Sequence, residues 1–580
     1  MLKKLLPFMR RYRLTAILCP IIVVTEVFVD VLMPVLMASI VDTGIQNRDI
    51  GYILQIGLLM VGLAMLGLGL GILSARLGAI ASMGFGSEIR RGLFDKIQSF
   101  SFSRLDKFGV PSLITRLTSD VVNMQTSAIM MLRMLFRAPF MIGLAFFMVL
   151  RINGRLSLIF LAAVPVLAIL LLLIMRTAYP RFRNLQKKFD VLNSTVQENL
   201  ISIRVVKAFV RSAYEKSRFR TANTDLMKAA KKAIMLVIVN MPMMQLIMYT
   251  CIIAIIWFGG DMIHSGEMQT GQLISFITYV NQIMMALMLL SMVFMTLVRA
   301  KASADRIIEV LETDPGMDEP AVDPAAAVDS VAEGSVEFRH VNFRYPDGSA
   351  QDTLSDINLK INSGETIGII GATGSAKTTL VSLIPRLYDV TAGQVLVGGR
   401  DVRDYTLHTL RDSVAVVLQN NTLFTGTIRS NLHWGQADAS DEELMEACRI
   451  AQAAEFIETM PAGLDTLLGQ GGVNLSGGQK QRLCIARALL KKPKILILDD
   501  STSAVDTATD ARLRKGFAEN LKGVTVIIIA QRINSIQHAD RVIIIDDGRI
   551  SGTGSPDELL RDNEIYRDIY QSQQEGVIAV

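Results

Sequence analysis

The sequence predicts a multi-domain protein in which an all-α six-helix transmembrane domain is followed by an α/β domain. Hydrophobic residues make up 51% of the 580 residues, and the mean hydropathy of +0.38 is higher than a soluble globular chain usually has. The long apolar stretches all precede residue 312, whereas strand-like and helical runs alternate after residue 335. We therefore expect a membrane domain over 1–312, a linker rich in Pro, Ala, Asp and Gly over 313–335, and the second domain over 336–580.

Six apolar stretches are long enough to cross a bilayer as helices, since a hydrocarbon core of about 30 Å needs roughly 20 helical residues. They lie at about 14–42, 53–82, 128–150, 156–177, 233–262 and 272–299. The two long connections between them, 83–127 and 178–232, are rich in Lys and Arg and have helical periodicity, and the amino terminus is also basic. Positively charged loops stay in the cytoplasm. We therefore expect a multi-pass protein of the cell (inner or plasma) membrane with both termini and two helical hairpins in the cytoplasm.

Four charged side chains fall inside the predicted spans. Glu26 and Asp30 lie four apart on the first span, and Arg133 and Arg137 lie four apart on the third. Each could cost about 2.5–3.5 kcal/mol near the bilayer centre, so these side chains should face protein or water. Three interpretations follow: a polar cavity, a structural ion pair, or positions near the membrane interface.

The cysteines are expected to be buried free thiols. None forms a CxxC pair, so neither a disulfide framework nor a zinc site is predicted. They are Cys19, Cys251, Cys448 and Cys484.

The strongest motif follows the predicted strand 366–370. It reads Gly371-Ala-Thr-Gly-Ser-Ala-Lys-Thr-Thr379 and matches a phosphate-binding loop at every position but one. Backbone N–H groups at a helix N-terminus bind phosphate oxygens, Lys377 would reach the β- and γ-phosphates, and Thr378 would ligate Mg²⁺. The departure is Ala376 in place of Gly, whose methyl group we expect to distort the loop slightly. The residues predicted to hold the nucleotide here are Gly371, Thr373, Gly374, Ser375, Ala376, Lys377, Thr378 and Thr379.

A second apolar strand, Ile495-Leu-Ile-Leu498, ends in two aspartates. A buried strand that delivers an acid is how P-loop domains hold Mg²⁺, and Asp499 would take that role. Asp500 occupies the position of a general base for the attacking water. The second domain is therefore predicted to be an α/β P-loop nucleotide-binding domain that uses ATP and Mg²⁺.

A third motif, Leu475-Ser-Gly-Gly-Gln479, followed by Lys480-Gln-Arg482, lies between these two. Together with them it closely resembles the ATP-binding cassette (ABC) transporters. The six preceding spans on the same chain resemble exporter half-transporters of the P-glycoprotein and bacterial multidrug-exporter type. The resemblance covers almost the whole chain. It implies an ABC-type ATPase that moves amphiphilic or hydrophobic substrates out of the cytoplasm by alternating access.

The resemblance also implies roles for residues outside the phosphate loop. Tyr345 would stack on adenine, and Gln419 would contact Mg²⁺ and report the nucleotide state to the membrane domain. Asp506 would lie at the seam between two cassettes. Segments near 108–116 and 209–215 match the cytosolic coupling helices that dock on the cassettes. The residues that would complete the ATP site of a partner cassette are Ser476, Gly478 and Gln479.

Three positions depart from the family pattern. Asp500 replaces the usual catalytic glutamate and Gln531 the usual switch histidine. Gln470 replaces the glutamate shortly before Leu475–Gln479, which is the signature motif of the family. A catalytic group displaced by about 1 Å can lose roughly a hundredfold in rate. Glutamine can bond the γ-phosphate but cannot carry a proton near neutral pH. The changes at Asp500 and Gln531 predict a site that binds ATP and hydrolyses it poorly. A local backbone shift that lets Asp500 reach its water would instead leave a slow but normal site.

This pattern resembles the degenerate-site subunit of heterodimeric ABC exporters. The implied partners are a second homologous half-transporter, the lipid bilayer, and a small-molecule, lipid or peptide substrate. The alternatives are a homodimeric exporter with two slow ATP sites, or a non-transport membrane ATPase or regulated channel. Nucleic-acid binding is not expected, because the basic residues concentrate in the membrane-facing hairpins and not on an aromatic-rich platform.

Overall fold

The computed structural model describes residues 2–317, 330–345, 351–501 and 505–578. The chain forms two compact units. The first consists of Met1–Lys96 and Pro111–Thr313, and the second of Ile97–Val110 and Asp314–Val580. Most of the predicted linker over 313–335 lies outside the described residues.

Six long helices build the first unit, in the order of the six predicted spans. They are Arg13–Ser39, Ile50–Gln98, Val121–Ile152, Leu158–Ile201, Ser212–His264 and Thr270–Glu312. Short helical segments connect or precede them: Leu2–Leu5, Leu6–Tyr12, Ile40–Ile45, Phe102–Phe108, Val110–Thr115, Arg116–Asp120 and Ile203–Ala208. Among the described residues, five helical segments are long and apolar enough to cross a membrane, and the fourth predicted span begins on the shorter apolar stretch Leu158–Leu167.

Pro34 in the first long helix leaves one backbone carbonyl without its helical hydrogen bond, and a side chain of another helix donates to that carbonyl. Pro34 has no N–H, so the carbonyl of Asp30, four residues earlier, loses its helical donor. Gln282 Nε2 donates to that carbonyl at 3.1 Å. One turn away, the buried hydroxyl of Tyr279 donates to the carbonyl of Val31 at 2.7 Å. These bonds and the surrounding apolar core tie Thr270–Glu312 to the first long helix.

The second unit contains two larger sheets. The six-stranded sheet has the order Arg549–Gly554, Arg541–Asp546, Thr366–Ile370, Thr525–Ile529, Ile495–Asp499, Val414–Val417. All neighbours in it are parallel except the first pair. The antiparallel four-stranded sheet has the order Leu354–Ile361, Val336–Phe343, Ala392–Val397, Arg400–Asp401, and a short pair joins Gly426–Thr427 to Leu467–Leu468.

Helices flank the parallel sheet. They are Lys377–Ser382, Leu407–Ser413, Ile428–Leu432, Asp441–Ile450, Ala454–Glu458, Gly477–Leu490, Thr507–Asn520, Pro556–Asp562 and Glu564–Ile578. Because helices cover it, the central strands Ile495–Asp499 and Thr525–Ile529 are buried along their whole length, which explains their continuous runs of Ile, Val and Leu. The predicted fold class is confirmed: a helical domain followed by an α/β domain. The four cysteines are buried and free, as predicted.

Candidate nucleotide-binding site

Three loops meet at the carboxyl edge of the parallel sheet. The strand Thr525–Ile529 pairs with Thr366–Ile370 on one side and with Ile495–Asp499 on the other. The loops that follow these strands carry the phosphate-loop motif, the switch position and the two aspartates. Because carboxyl ends of neighbouring parallel strands lie side by side, most of the predicted site residues come together here.

The side chain of Lys377 forms hydrogen bonds with other residues of the phosphate loop. Lys377 Nζ donates to the carbonyl of Gly371 at 3.0 Å and to that of Ala372 at 2.7 Å. Its third contact is Ser375 Oγ, at 3.3 Å. Burial lowers the pKa of Lys377, although Asp499 and Asp500 nearby act in the opposite direction. The lysine therefore presents a cation at a concave loop of backbone groups, which suits phosphate binding.

Two residues of the loop show why the motif favours glycine. A Cβ atom on Gly371 would lie 2.0 Å from the carbonyl oxygen of Ile545, so this position has no room for a side chain. Ala376, where the motif has Gly, takes a left-handed conformation with φ 73° and ψ 24°. A left-handed conformation costs a residue with a Cβ atom roughly 1–2 kcal/mol. Ala376 therefore strains the backbone just before the helix Lys377–Ser382.

A hydroxyl and a carboxylate lie together beside the lysine. Thr378 Oγ1 donates to Asp499 Oδ1 at 3.1 Å, and Asp499 is 3% exposed. Burial raises the pKa of Asp499, and Asp500 raises it further, whereas Thr378 and Lys377 lower it. Hard oxygen donors of this kind are the ligands that Mg²⁺ prefers. The pair therefore fits a magnesium ion that is also bound by nucleotide phosphates.

Asp500 and Gln531, the two residues that differ from the family pattern at the catalytic positions, contact each other. Gln531 Nε2 donates to Asp500 Oδ2 at 2.8 Å. Asp500 has a positive φ of 49°, and its backbone N–H donates to the carbonyl of Ile529 at 3.0 Å. Gln481, on the helix Gly477–Leu490, donates its side-chain amide to the carbonyl of Asp500 at 3.5 Å. One oxygen of the Asp500 carboxylate is therefore occupied by the amide that replaces the family's histidine.

The predicted adenine-stacking residue contacts the phosphate-loop helix. The hydroxyl of Tyr345 lies 3.1 Å from Thr379 Oγ1. Its ring meets that of Tyr388 edge-on, with centroids 5.3 Å apart. Tyr388 was not predicted from the sequence. It donates its hydroxyl to Asp106 Oδ2 at 2.7 Å and packs edge-on against Phe102.

The cassette therefore packs on the helix Phe102–Phe108, which lies next to the coupling segment predicted near 108–116. Within this unit, the backbone N–H of Ser101 also donates to the carbonyl of Pro315 at 2.9 Å. Ser101 caps the helix at its start, and Gly109, with a φ of 69°, ends it. A Ser cap and a terminal Gly are the sequence signals that could have located this helix.

The remaining predicted residues lie on neighbouring loops and helix ends. Gln419 is exposed in the loop after the strand Val414–Val417, and Gln470 is exposed in a short turn before the signature. Asp506 caps the helix Thr507–Asn520, where it accepts from the backbone N–H of Thr509 at 2.9 Å. The preceding residues 502–504 lie outside the described residues.

The signature forms the start of a long helix. Ser476 Oγ accepts from the backbone N–H of Gln479 at 3.3 Å, and Gln479 Oε1 accepts from the backbone N–H of Ser476 at 2.9 Å. This reciprocal capping box fixes the first turn of the 14-residue helix Gly477–Leu490. Ser476 is exposed, so the positive end of the helix dipole faces outward.

Comparison with known proteins identifies the family. The model of the ABC transporter transmembrane region matches residues 16–287, and the ABC transporter model matches residues 354–503. An uncharacterised ABC transporter ATP-binding protein of Bacillus subtilis (strain 168), YfiB, is 41% identical over 99% of this chain and 98% of its own length. The chain belongs to the ABC transporters. It is an ABC-type ATPase and a subunit of an exporter, with the membrane and ATP-binding regions on one chain.

Two further proteins are similar to this ABC transporter over most of its length. An ATP-dependent lipid A-core flippase of Desulfotalea psychrophila is 35% identical over 84% of each chain. The structure of a bacterial Atm1-family ABC exporter with ATP bound has a TM-score of 0.80 at 25% identity, covering 97% of this chain and 99% of that one. The likeness over nearly the full length of both chains agrees with the two-unit architecture described above.

Proposed function

We propose that this chain binds Mg²⁺ and ATP at its own phosphate loop, hydrolyses that ATP slowly, and completes the ATP site of a second, homologous half-transporter. The assembly is a heterodimeric translocase that exports amphiphilic or hydrophobic molecules, as multidrug exporters do. The observation that carries this proposal is the hydrogen bond from Gln531 to Asp500.

Nucleotide binding rests on the residues of the phosphate loop and its neighbours. Lys377 and the backbone N–H groups of the loop hold the phosphates, and Tyr345 stacks on adenine. Thr378 and Asp499, whose oxygens lie 3.1 Å apart, would hold Mg²⁺ together with Gln419. Among the described residues, no group of three or more His, Cys, Asp and Glu side chains could hold a metal by itself. The nucleotide phosphates therefore supply the remaining ligands, which makes Mg²⁺ binding depend on ATP.

Hydrolysis at this site is slow because Asp500 and Gln531 are poorly suited to activate the attacking water. A general base must lie within hydrogen-bond reach of the water from which it takes a proton. The Asp500 side chain is one methylene shorter than the usual glutamate, and one of its oxygens already accepts from Gln531. Gln531 in turn has no proton to exchange near neutral pH. Bound ATP is thus expected to persist through many cycles.

The signature supports hydrolysis on the partner chain. Its helix has an exposed, capped start, where a partial positive charge and free backbone N–H groups favour an anion. When two cassettes close face to face, Ser476, Gly478 and Gln479 would contact the γ-phosphate held by the partner's phosphate loop. Asp506, also exposed, lies at the seam of this closed dimer.

Closure of the cassettes drives alternating access in the membrane domain. The helix Phe102–Phe108, packed on Tyr388, transmits movement of its own cassette. The tip of the second hairpin, where Phe209 is 73% and Val210 is 84% exposed, would dock on the partner cassette. The basic hairpins and amino terminus place both cassettes in the cytoplasm, at the inner or plasma membrane.

The test is to purify the assembly with its partner and to measure ATP turnover at each site separately. Asp500→Glu combined with Gln531→His should raise turnover at this site by roughly ten- to a hundredfold, the range expected when a misplaced catalytic group is restored. Asp438→Glu combined with Gln537→His, two exposed positions outside the site, is the matched control. If the wild-type site already turns over ATP as fast as the partner site, or if only one kind of chain is found in the assembly, the proposal is wrong.

A further inference from the structure

Two arginines one helical turn apart in the first unit differ in their partners. Arg137 Nη1 donates to Glu26 Oε1 at 2.5 Å, and its Nη2 donates to Asp30 Oδ2 at 2.7 Å. Both acids of the first span are therefore paired with one arginine. Of the interpretations drawn from the sequence, this part of the cluster is an ion pair that joins the helices Arg13–Ser39 and Val121–Ile152.

Arg133 has no such partner. Its Nε is buried and has no hydrogen-bond partner among the described residues. Within the same residues, no carboxylate lies within ion-pair distance of its guanidinium. Its aliphatic part packs closely, since a Cβ atom on Gly78 would lie 3.3 Å from both Arg133 Cδ and Cys19 Sγ. A buried polar group without a partner costs roughly 1–3 kcal/mol, and a charged one costs more. An ionisable residue within a membrane span is therefore a candidate functional residue.

Arg133 lines a wide-open cavity of about 550 Å³ formed by the helices Arg13–Ser39, Ile50–Gln98 and Val121–Ile152. Ligand pockets commonly have this size. The charged side chains on its wall are Arg133, Glu26 and Asp30. The rest of the wall is apolar or small and includes Met33, Leu63, Gly67, Leu68 and Gly71.

We propose that this cavity binds the anionic headgroup of an amphiphilic substrate, with Arg133 as its charged partner. Glu26 and Asp30 share Arg137, so Arg133 is the cation on the described cavity wall that lacks an ion-pair partner, and an anionic ligand would supply one. A guanidinium matches a phosphate or a carboxylate through two parallel hydrogen bonds. The apolar wall suits the alkyl part of the same molecule. This assignment rests on the proposed export function, of which it names the substrate class.

The test uses the full assembly in phosphatidylcholine nanodiscs and three probes: hexyl phosphate, hexyl glucoside and inorganic phosphate. Calorimetry against empty nanodiscs gives each dissociation constant. Hexyl phosphate should bind at least about tenfold more tightly than either of the other probes, which is the effect expected of one charge-assisted contact combined with apolar burial. Arg133→Gln should abolish the preference over hexyl glucoside, whereas Arg133→Lys should retain part of it.

Arg151→Gln is the matched control, because this exposed arginine lies on the same helix with its guanidinium 5.4 Å from the ring of Phe147. It should leave all three affinities unchanged. ATP turnover is measured on the same samples, so a failure of the export assignment is seen separately from a failure of headgroup selectivity.

Three results would overturn the inference. One is equal binding of hexyl phosphate and hexyl glucoside by the wild-type assembly. Another is equal binding of inorganic phosphate and hexyl phosphate, which would indicate a simple anion site. The third is a loss of thermal stability in Arg133→Gln with selectivity intact, which would mean that Arg133 pairs with an acid of the partner subunit.

Discussion

The two sides of the ATP site differ in how their side chains are held. On the phosphate side, Lys377 is held by three contacts within its own loop, and Thr378 donates to the buried Asp499. On the water side, the side-chain amide of Gln531 donates to the carboxylate of Asp500. The difference teaches that binding and hydrolysis draw on separate residues, so a cassette can weaken one function while it keeps the other. Four changes test this separation, in order of decreasing expected effect.

Lys377→Ala should abolish high-affinity ATP binding at this site. The change removes a half-buried cation that donates three hydrogen bonds within the loop, for which we expect a loss of about a hundredfold or more in affinity. Binding of a fluorescent ATP analogue to the purified assembly measures it. Lys522→Ala, at an exposed position, is the control and should bind normally. Normal binding by the Lys377 variant would show that the loop does not hold phosphate as proposed.

Asp500→Glu alone should recover only part of the turnover gained by the double change. The longer side chain brings the carboxylate closer to the attacking water, which is worth on the order of tenfold, whereas Gln531 still lacks an exchangeable proton. Single-site turnover of the single and double variants separates the two contributions. If Asp500→Glu equals the double variant, the residue at position 531 does not limit hydrolysis.

Asp499→Asn should stabilise the nucleotide-free protein at neutral pH, and it should weaken Mg²⁺-dependent ATP binding. Burial and the nearby Asp500 raise the pKa of Asp499 in the folded state. Its ionised form therefore destabilises the fold above that pKa, and the penalty disappears as the pH falls through the folded pKa and Asp499 takes up a proton.

Thermal denaturation without nucleotide, recorded from neutral to acidic pH, checks this sign. The gain in midpoint temperature should shrink as the pH falls. Asp438→Asn, at an exposed position, should show no such trend. A gain that grows with acidity would contradict the assigned cause.

Ala376→Gly should have the smallest effect. Relief of the left-handed strain is worth roughly 1–2 kcal/mol, and the added backbone freedom of glycine in the unfolded chain offsets about 0.5–1 kcal/mol of it. The net gain of about 0–1.5 kcal/mol corresponds to a rise of a few degrees at most in the unfolding midpoint of a domain of this size. A fall in the midpoint would show that Ala376 is not strained.

Local patterns were enough to predict much of the fold and the site. Long apolar runs predicted the helices of the first unit, because a bilayer span needs a continuous apolar surface. The strand-loop-helix context of Lys377 and Thr378 predicted their position, because a phosphate loop is built from neighbouring residues. The same local reasoning placed Asp499 and Asp500 at the end of a buried strand.

Non-local contacts could not be predicted in this way. Tyr388 and Asp106 are far apart in the sequence, and no local pattern pairs them. The helix Phe102–Phe108 was not predicted, although its Ser and Gly caps are local signals.

The sequence by itself determined which functional groups this protein contains. They are a phosphate loop, a magnesium-binding acid, a shortened base, an unprotonatable switch residue and four charges within the membrane. The tertiary structure alone decided which of these meet. Strand order places Thr525–Ile529 between its two neighbours and so brings Gln531 to Asp500. Helix packing pairs Glu26 and Asp30 with Arg137, whereas Arg133 lines a cavity. Periodicity shows which face of an element is buried, but the partner that covers it depends on contacts between distant parts of the chain.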